Sequence, residues 1–254
     1  MLRRSDFWRI VGITLLGLVL GALIGTLMAL RMNAPPLVGA LLCSPLLGVI
    51  VPVIWMRVVR DARVARLGTL AEKRRLAALP MGPFVTSAAR VAVALEAGDL
   101  QSARYKMAQL SAQHQGGPFA LLVRLRFDHL VAAPGALEAL LAWRIEGLRD
   151  AMMNQEARRY HAYVVAKTLA GARDDARRTQ AATRLLGERD AEVRAYGTWL
   201  TALDDEAMHP PLALDVLAQG TALARHEQLA DVAFVLESRI AKRALEGRRG
   251  PYRA

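Results

Sequence analysis

From Ile10 to Leu30 the chain runs for 21 residues without a charged side chain, rich in Leu, Ile, Val and Gly. At helical rise that run is roughly 30 Å long, the thickness of a bilayer's hydrocarbon core. A second charge-free run, Met32–Met56, follows Arg31 and carries Pro35-Pro36 near its start. The two prolines predict a turn, so spans over 10–30 and 37–56 would form an antiparallel hairpin. A cleaved signal peptide would share the charged start Arg3-Arg4. Its apolar core is shorter, however, no A-x-A site follows, and the second run would be left unexplained.

Basic residues orient the hairpin. Arg3, Arg4 and Arg9 precede the first span, and Arg57, Arg60, Arg63, Arg66, Lys73, Arg74 and Arg75 follow the second. The turn holds only Arg31, so the positive-inside rule puts both ends in the cytoplasm. Trp8 and Trp55 would lie at that same interface, where indoles sit. No Asp, Glu, Lys, Arg or His interrupts either span, which argues against transport and for anchoring.

Small residues recur every four positions: Gly17, Gly21, Gly25 and Ala29 in the first span, Ala40, Ser44 and Gly48 in the second. Lipid tails are as apolar as leucine, so membrane helices associate by close backbone approach, which such stripes permit. Pairing within the hairpin is favoured because the short turn already holds the helices together. Docking on another membrane protein, or dimerisation, is the alternative use.

The net charge of +11 is unevenly distributed. Residues 1–80 hold 11 Lys/Arg against 3 Asp/Glu, residues 239–254 hold 6 against 1, and residues 81–238 hold 17 against 19. A nearly neutral body is therefore bracketed by basic segments. Residues 58–79 read as one continuing helix whose cluster at 57, 60, 63, 66 and 73–75 would face anionic lipid headgroups. A solvated stalk with topology-setting arginines is the competing reading. The tail residues Arg239, Lys242, Arg243, Arg248, Arg249 and Arg253 would meet lipid or an acidic partner. Only Tyr252 is there to stack on a base, so nucleic acid is not expected.

Pro80-Met-Gly-Pro83 reads as a boundary. The domains expected are a hairpin over 1–57, a basic juxtamembrane helix over 58–80, a helical-repeat domain over 81–247 and a tail over 248–254. Beyond the prolines, 8–9 helices are expected, with breaks at Gly98-Asp99, Gln115–Pro118, Ala133–Gly135, Asn154, Gly171–Asp174, Gly187–Asp190, Asp204–Pro211 and Gly220. Apolar residues at helical period support this, as in Leu100, Ala103, Met107 and Leu110. No alternating strand pattern appears, and the fold class is all-α.

Leu95–Leu110 resembles the second half of a tetratricopeptide repeat, with Gly98-Asp99-Leu100 as the turn, Ala103 as the small packing position and Met107 as a large one. The preceding helix lacks the family's Trp, Leu-Gly and Tyr pattern. Leu185–Leu203 is similar to a HEAT repeat through Asp190-x-x-Val193-Arg194. The resemblance implies an α-solenoid-like stack exposing a groove for a protein partner. Groove candidates are Tyr105, Asn154, Arg158, Tyr160 and Tyr163.

Motifs for chemistry are missing. The five histidines lack metal-ligand spacing, Cys43 lies in a span, and there is no phosphate loop, dinucleotide fingerprint or nucleophile elbow. Asp174-Asp175 and Asp204-Asp205-Glu206 stand at expected helix starts, where acids cap free N–H groups, and His226-Glu227 reads as an exposed helix segment. No cofactor or metal is expected, and an enzyme whose site is built from residues scattered over several helices is the least favoured of three readings. The expectation is a membrane-anchored adaptor that recruits a protein partner at the cytoplasmic face of a bacterial inner membrane, touching anionic lipid. The alternative is an accessory subunit of a larger membrane complex or a homo-oligomer.

Overall fold

A computed structural model describes residues 4–32, 35–80, 88–113, 117–144, 151–170, 175–202, 204 and 211–248, which form twelve helices and no strand. The expected boundary residues 81–83, the acids 174, 205 and 206, and tail residues 249–254 lie outside the described residues, as do the first residues of two expected breaks (115–116 and 171–173).

The chain divides into two compact units. The first holds α1 (Arg4–Arg31) and α2 (Pro36–Leu67) up to Asp61. Thr14–Arg31 is long and apolar enough to cross a membrane, a test of length and composition that a signal sequence also passes. The apolar part of α2, Pro36–Ile50, is too short to count as a second span. Of the two spans expected, one candidate is present, near the N-terminus. Pro45 and Pro52 lie inside α2, which runs through both.

The two helices meet along glycine. A Cβ at Gly17 would lie 2.7 Å from the Leu47 carbonyl oxygen, and one at Gly21 would lie 2.5 Å from that of Cys43. Gly25 and Gly39 face each other so closely that neither admits a side chain. Ser44 adds a 2.8 Å hydrogen bond from its Oγ to the Leu18 carbonyl. Backbones at such range gain dispersion contacts that intervening side chains would prevent.

In the second unit, α2 ends at Leu67, and Thr69 starts α3 (Leu70–Ala78). The Thr69 hydroxyl accepts from the Glu72 N–H at 3.2 Å, and the Glu72 carboxylate accepts from the Thr69 N–H at 2.8 Å. This capping box stops the single helix expected over 58–79 at Gly68-Thr69. The unit also takes in residues 62–80.

Then follow α4 (Ala88–Glu96), α5 (Leu100–Gln113), α6 (Pro118–Leu130), α7 (Ala136–Ala142), α8 (Ala151–Ala170), α9 (Asp175–Leu186), α10 (Ala191–Thr201), α11 (Leu214–His226) and α12 (Ala230–Arg248). Packing is sequential. From α3 to α7 and from α8 to α12 each helix meets its chain neighbour, and α4 also packs on α6, α6 on α8 and α8 on α10. This even-numbered row is the core. Ala89–Glu96 of α4, Tyr160–Ala166 of α8 and Ala195–Thr201 of α10 are buried on all sides.

Gly98, at φ +78°, ends α4 in the left-handed region that an L side chain resists. Asp99 then donates its N–H to the Ala94 carbonyl, and its side chain accepts from the Ser102 N–H, closing one helix and opening the next. Asp190 caps α10 in the same way, accepting from Glu192 and Val193. Two expected breaks are absent. Asn154 is buried inside α8, and Gly220 lies inside α11 with Thr198 and the Ala195 carbonyl of α10 against its α-carbon. Both polar or small residues serve packing, not turns.

Candidate functional site

Charged side chains link the helices of the core row. Glu96, at the end of α4, is almost wholly buried. Its carboxylate accepts from Arg126 Nε of α6 at 3.0 Å, the Tyr160 and Tyr163 hydroxyls of α8 at 3.2 Å each, and Lys167 Nζ at 3.4 Å. Burial alone would raise its pKa, but Arg126 and Lys167 outweigh burial and hold the carboxyl below its usual range. The Arg126 pKa is raised, because Glu96 more than offsets its own burial.

Glu227 closes the group. It accepts from Lys73 at 3.3 Å, Lys167 at 2.8 Å and the Tyr163 hydroxyl at 3.0 Å. One phenolic proton cannot serve both Glu96 and Glu227, so Tyr163 donates to one while accepting from Lys167 at 2.8 Å. Burial first, then Glu96, pushes the Tyr160 and Tyr163 hydroxyls well above their ordinary pKa, so both stay neutral donors.

A second knot joins α2, α8 and α10. Arg66 donates to Glu156 and Glu192 at 2.8 Å each, and Arg159 holds Glu156 at 3.1 Å and Asp190 at 2.9 Å. Burial opposes the Arg66 charge, but Glu192 and Glu156 together raise its pKa. Between the knots runs an aromatic ladder, Phe119–Tyr160–Tyr163–Tyr196–Trp199, with ring centroids 5.1–6.2 Å apart. Buried pairs of this kind fix register more than they add net stability, because desolvation offsets most of the Coulomb gain.

The expected site residues divide accordingly. Gly17, Gly21, Gly25, Ser44 and Gly48 lie on the α1–α2 seam, while Ala40 is half-buried beside Gly39, which the sequence reading passed over. Of the basic cluster, Arg57, Arg60, Arg63, Arg74 and Arg75 are exposed. Arg66 and Lys73 are not free to face lipid: both are buried and held by carboxylates. Of the groove candidates, Asn154, Tyr160 and Tyr163 are core residues, while Tyr105 and Arg158 are exposed. Glu227, read as exposed, is mostly buried, and Asp204 pairs with Arg178 at 2.6 Å. Arg239 of the basic tail is buried, donating to the Thr201 and Asp204 carbonyls at 2.9 Å.

One open cleft of about 810 Å³ lies along the edge of α8 and the α9–α10 turn. It is lined by Arg158, Arg184, Glu188, Arg189 and Val193 among others. A smaller recess of about 170 Å³ shares Arg158 and Arg184 and adds Trp143, Arg144 and His161. The buried His161 ring packs on Trp143 at 5.0 Å, and its Nε2 lies 2.8 Å from the Leu140 carbonyl oxygen. That acceptor selects the tautomer with the proton on Nε2. Burial lowers the His161 pKa to about 3 against the hydrogen bond to Leu140, with Arg184 and Arg144 adding to the effect. The ring is neutral at ordinary pH.

Among the described residues no group of three His, Cys, Asp or Glu side chains could hold a metal ion. Nothing in the two charged knots pairs an accessible nucleophile with a base beside a cavity. Their geometry joins helices. In comparisons with protein-family models, curated proteins and solved structures, the chain matches none.

Proposed function

We propose that the protein is a membrane-anchored helical adaptor, recruiting a protein partner at the cytoplasmic face of a bacterial inner membrane. The observation behind this reading is a contrast between the two units. The first turns Leu15, Leu16, Val19, Leu23 and Leu27 of α1 and Leu37, Leu41 and Leu46 of α2 outward. An apolar surface of that extent needs lipid or other membrane helices to cover it. The second unit buries an apolar core along α4, α8 and α10 and ties its buried charges into bonds between helices. In this reading α1 and α2 form a two-span anchor, and the basic residues on both sides of the hairpin keep both ends cytoplasmic. The row of α4, α6, α8 and α10, each with a partner helix, is the pattern of an α-solenoid-like repeat stack. Exposed Arg57, Arg60, Arg63, Arg74 and Arg75 are available to anionic headgroups.

The alternative, an accessory subunit of a larger membrane complex, rests on the same outward leucines, with neighbouring spans in place of lipid. Isolation of the full-length chain in mild detergent separates the two. An adaptor retains a stoichiometric partner when Gly21→Leu and Gly25→Leu pry the hairpin apart, because the helical body does the binding. A subunit docked through its spans loses the complex while remaining in the membrane. Recovery of no stoichiometric partner with the intact chain overturns both readings.

A further inference from the structure

Two sets of arginines in the second unit stand in contrast. Arg66, Arg126, Arg159 and Arg178 each meet a carboxylate within 3.1 Å. Arg144, Arg158, Arg184 and Arg189, which line the recess and its adjoining cleft, form no ion pair among the described residues. Glu188 lines the same space without reaching any of them within salt-bridge distance. Asp190 is occupied by Gln155 at 2.8 Å and by Arg159. Four arginines thus line the recess and its adjoining cleft, and among the described residues none of them forms an ion pair, with Glu188 offsetting only part of the repulsion at Arg144 and Arg184.

Two of these are fixed in place. Arg144 donates to the Leu141 and Trp143 carbonyls at 2.8 and 2.7 Å, and Arg184 donates to the same two carbonyls at 3.1 and 3.3 Å. Both forks therefore grip the end of α7, where helix carbonyls lack partners. Each retains further N–H donors. Burial first, and then the neighbouring Arg144 charge, brings the Arg184 pKa down to about 10. Such a like-charge pair is uncomfortable alone and is relieved by an anion between its members.

We propose that this arginine-lined cleft binds a phosphate-bearing anion, with the phosphate in the recess beside Arg144 and Arg184 and Arg158 and Arg189 reaching it from the rim. Guanidinium forks match phosphate oxygens two at a time, and charge-assisted bonds to them are the strong kind. The 810 Å³ cleft lies in the size range of small-molecule sites and leaves room for whatever carries the phosphate. Neutral His161 adds no charge to the recess. Its imidazole and the Trp143 indole form an uncharged wall that directs the ligand toward the guanidiniums. The proposal stands apart from the adaptor role and survives if that role fails.

Calorimetric titration of the full-length chain in neutral detergent, with pyrophosphate as probe and sodium chloride at matched ionic strength as control, tests it. Pyrophosphate is expected to bind saturably at one site per chain. Arg158→Gln combined with Arg189→Gln, which removes two exposed side chains and no internal bond, is expected to weaken binding at least tenfold. Arg74→Gln, on the exposed face of α3, leaves it unchanged, and circular dichroism confirms that each variant is folded. Nanodiscs of phosphatidylcholine with and without phosphatidic acid identify the source. Loss of pyrophosphate binding only in phosphatidic acid discs assigns the site to a lipid headgroup, and equal binding in both assigns it to a soluble phosphate. Heats matching chloride, or a double variant that binds as the wild type does, overturn the proposal.

Discussion

Acid should unfold this protein through a residue that carries no charge in the native state. His161 is buried in α8, donates from Nε2 to Leu140 and has its pKa lowered to about 3. In the unfolded chain it titrates near its ordinary value of about 6.5. Between those two values the unfolded state binds the extra proton and the folded state does not, so stability falls as pH falls. At pH 5 the unfolded ensemble is favoured by about 2 kcal/mol relative to pH 7.5 from this side chain alone. His161→Gln keeps an N–H donor for the Leu140 carbonyl but cannot titrate. It carries a fixed packing cost at every pH. Urea unfolding of wild type and variant, followed by near-ultraviolet circular dichroism in neutral detergent, gives the difference in unfolding free energy at each pH. All other titrating groups are common to both chains and cancel. The wild-type advantage should shrink by about 2 kcal/mol on going from pH 7.5 to 5, with most of the change below pH 6.5. An advantage that is constant across this range would refute the linkage to His161.

Glu96→Gln should cost about 3–5 kcal/mol, because Arg126 and Lys167 lose a shared buried counter-charge; Glu96→Met with Arg126→Met should recover much of this in the same urea titration. Gly220→Ala should cost about 1–3 kcal/mol, since the new methyl meets Thr198 and the Ala195 carbonyl. Adding Thr198→Ala should restore part of that loss in melting temperature. Gln228→Gly should raise stability by roughly 1 kcal/mol, because Gln228 holds φ at 60° where glycine is unstrained. Gln228→Ala, which retains the strain, should show no such gain.

Helices and their capping signals were legible where a single residue type has a single backbone use. Gly98-Asp99 and Gly187–Asp190 mark real breaks because glycine and aspartate supply a positive φ or a free acceptor there. Gly220 and Asn154 misled because the same residue types also serve close packing and buried polar contact. The stop after His226 was invisible, since Gln228 and not glycine takes the left-handed conformation. The charged knots were harder still. Arg66 and Lys73 sit among lipid-facing arginines in the sequence, and only the long-range partners Glu156, Glu192 and Glu227 separate them from their neighbours. Gly39 stands one position off the four-residue stripe Ala40, Ser44 and Gly48, so periodicity alone does not single out the residue that meets Gly25.

The ion pair between Lys73 and Glu227 joins residues 154 positions apart. During synthesis α3 emerges early, and its partner follows roughly 10–30 s later at typical elongation rates. Until then Arg126, Lys73 and Lys167 have Glu96 as the one carboxylate of the group. Helices α4 to α10 can dock on one another as they appear, through contacts local in sequence. The last step waits for α11 to deliver Glu227. A chain cut short before α11 would therefore keep most of its helix pairs while Lys73 and Lys167 lack the carboxylate that joins them.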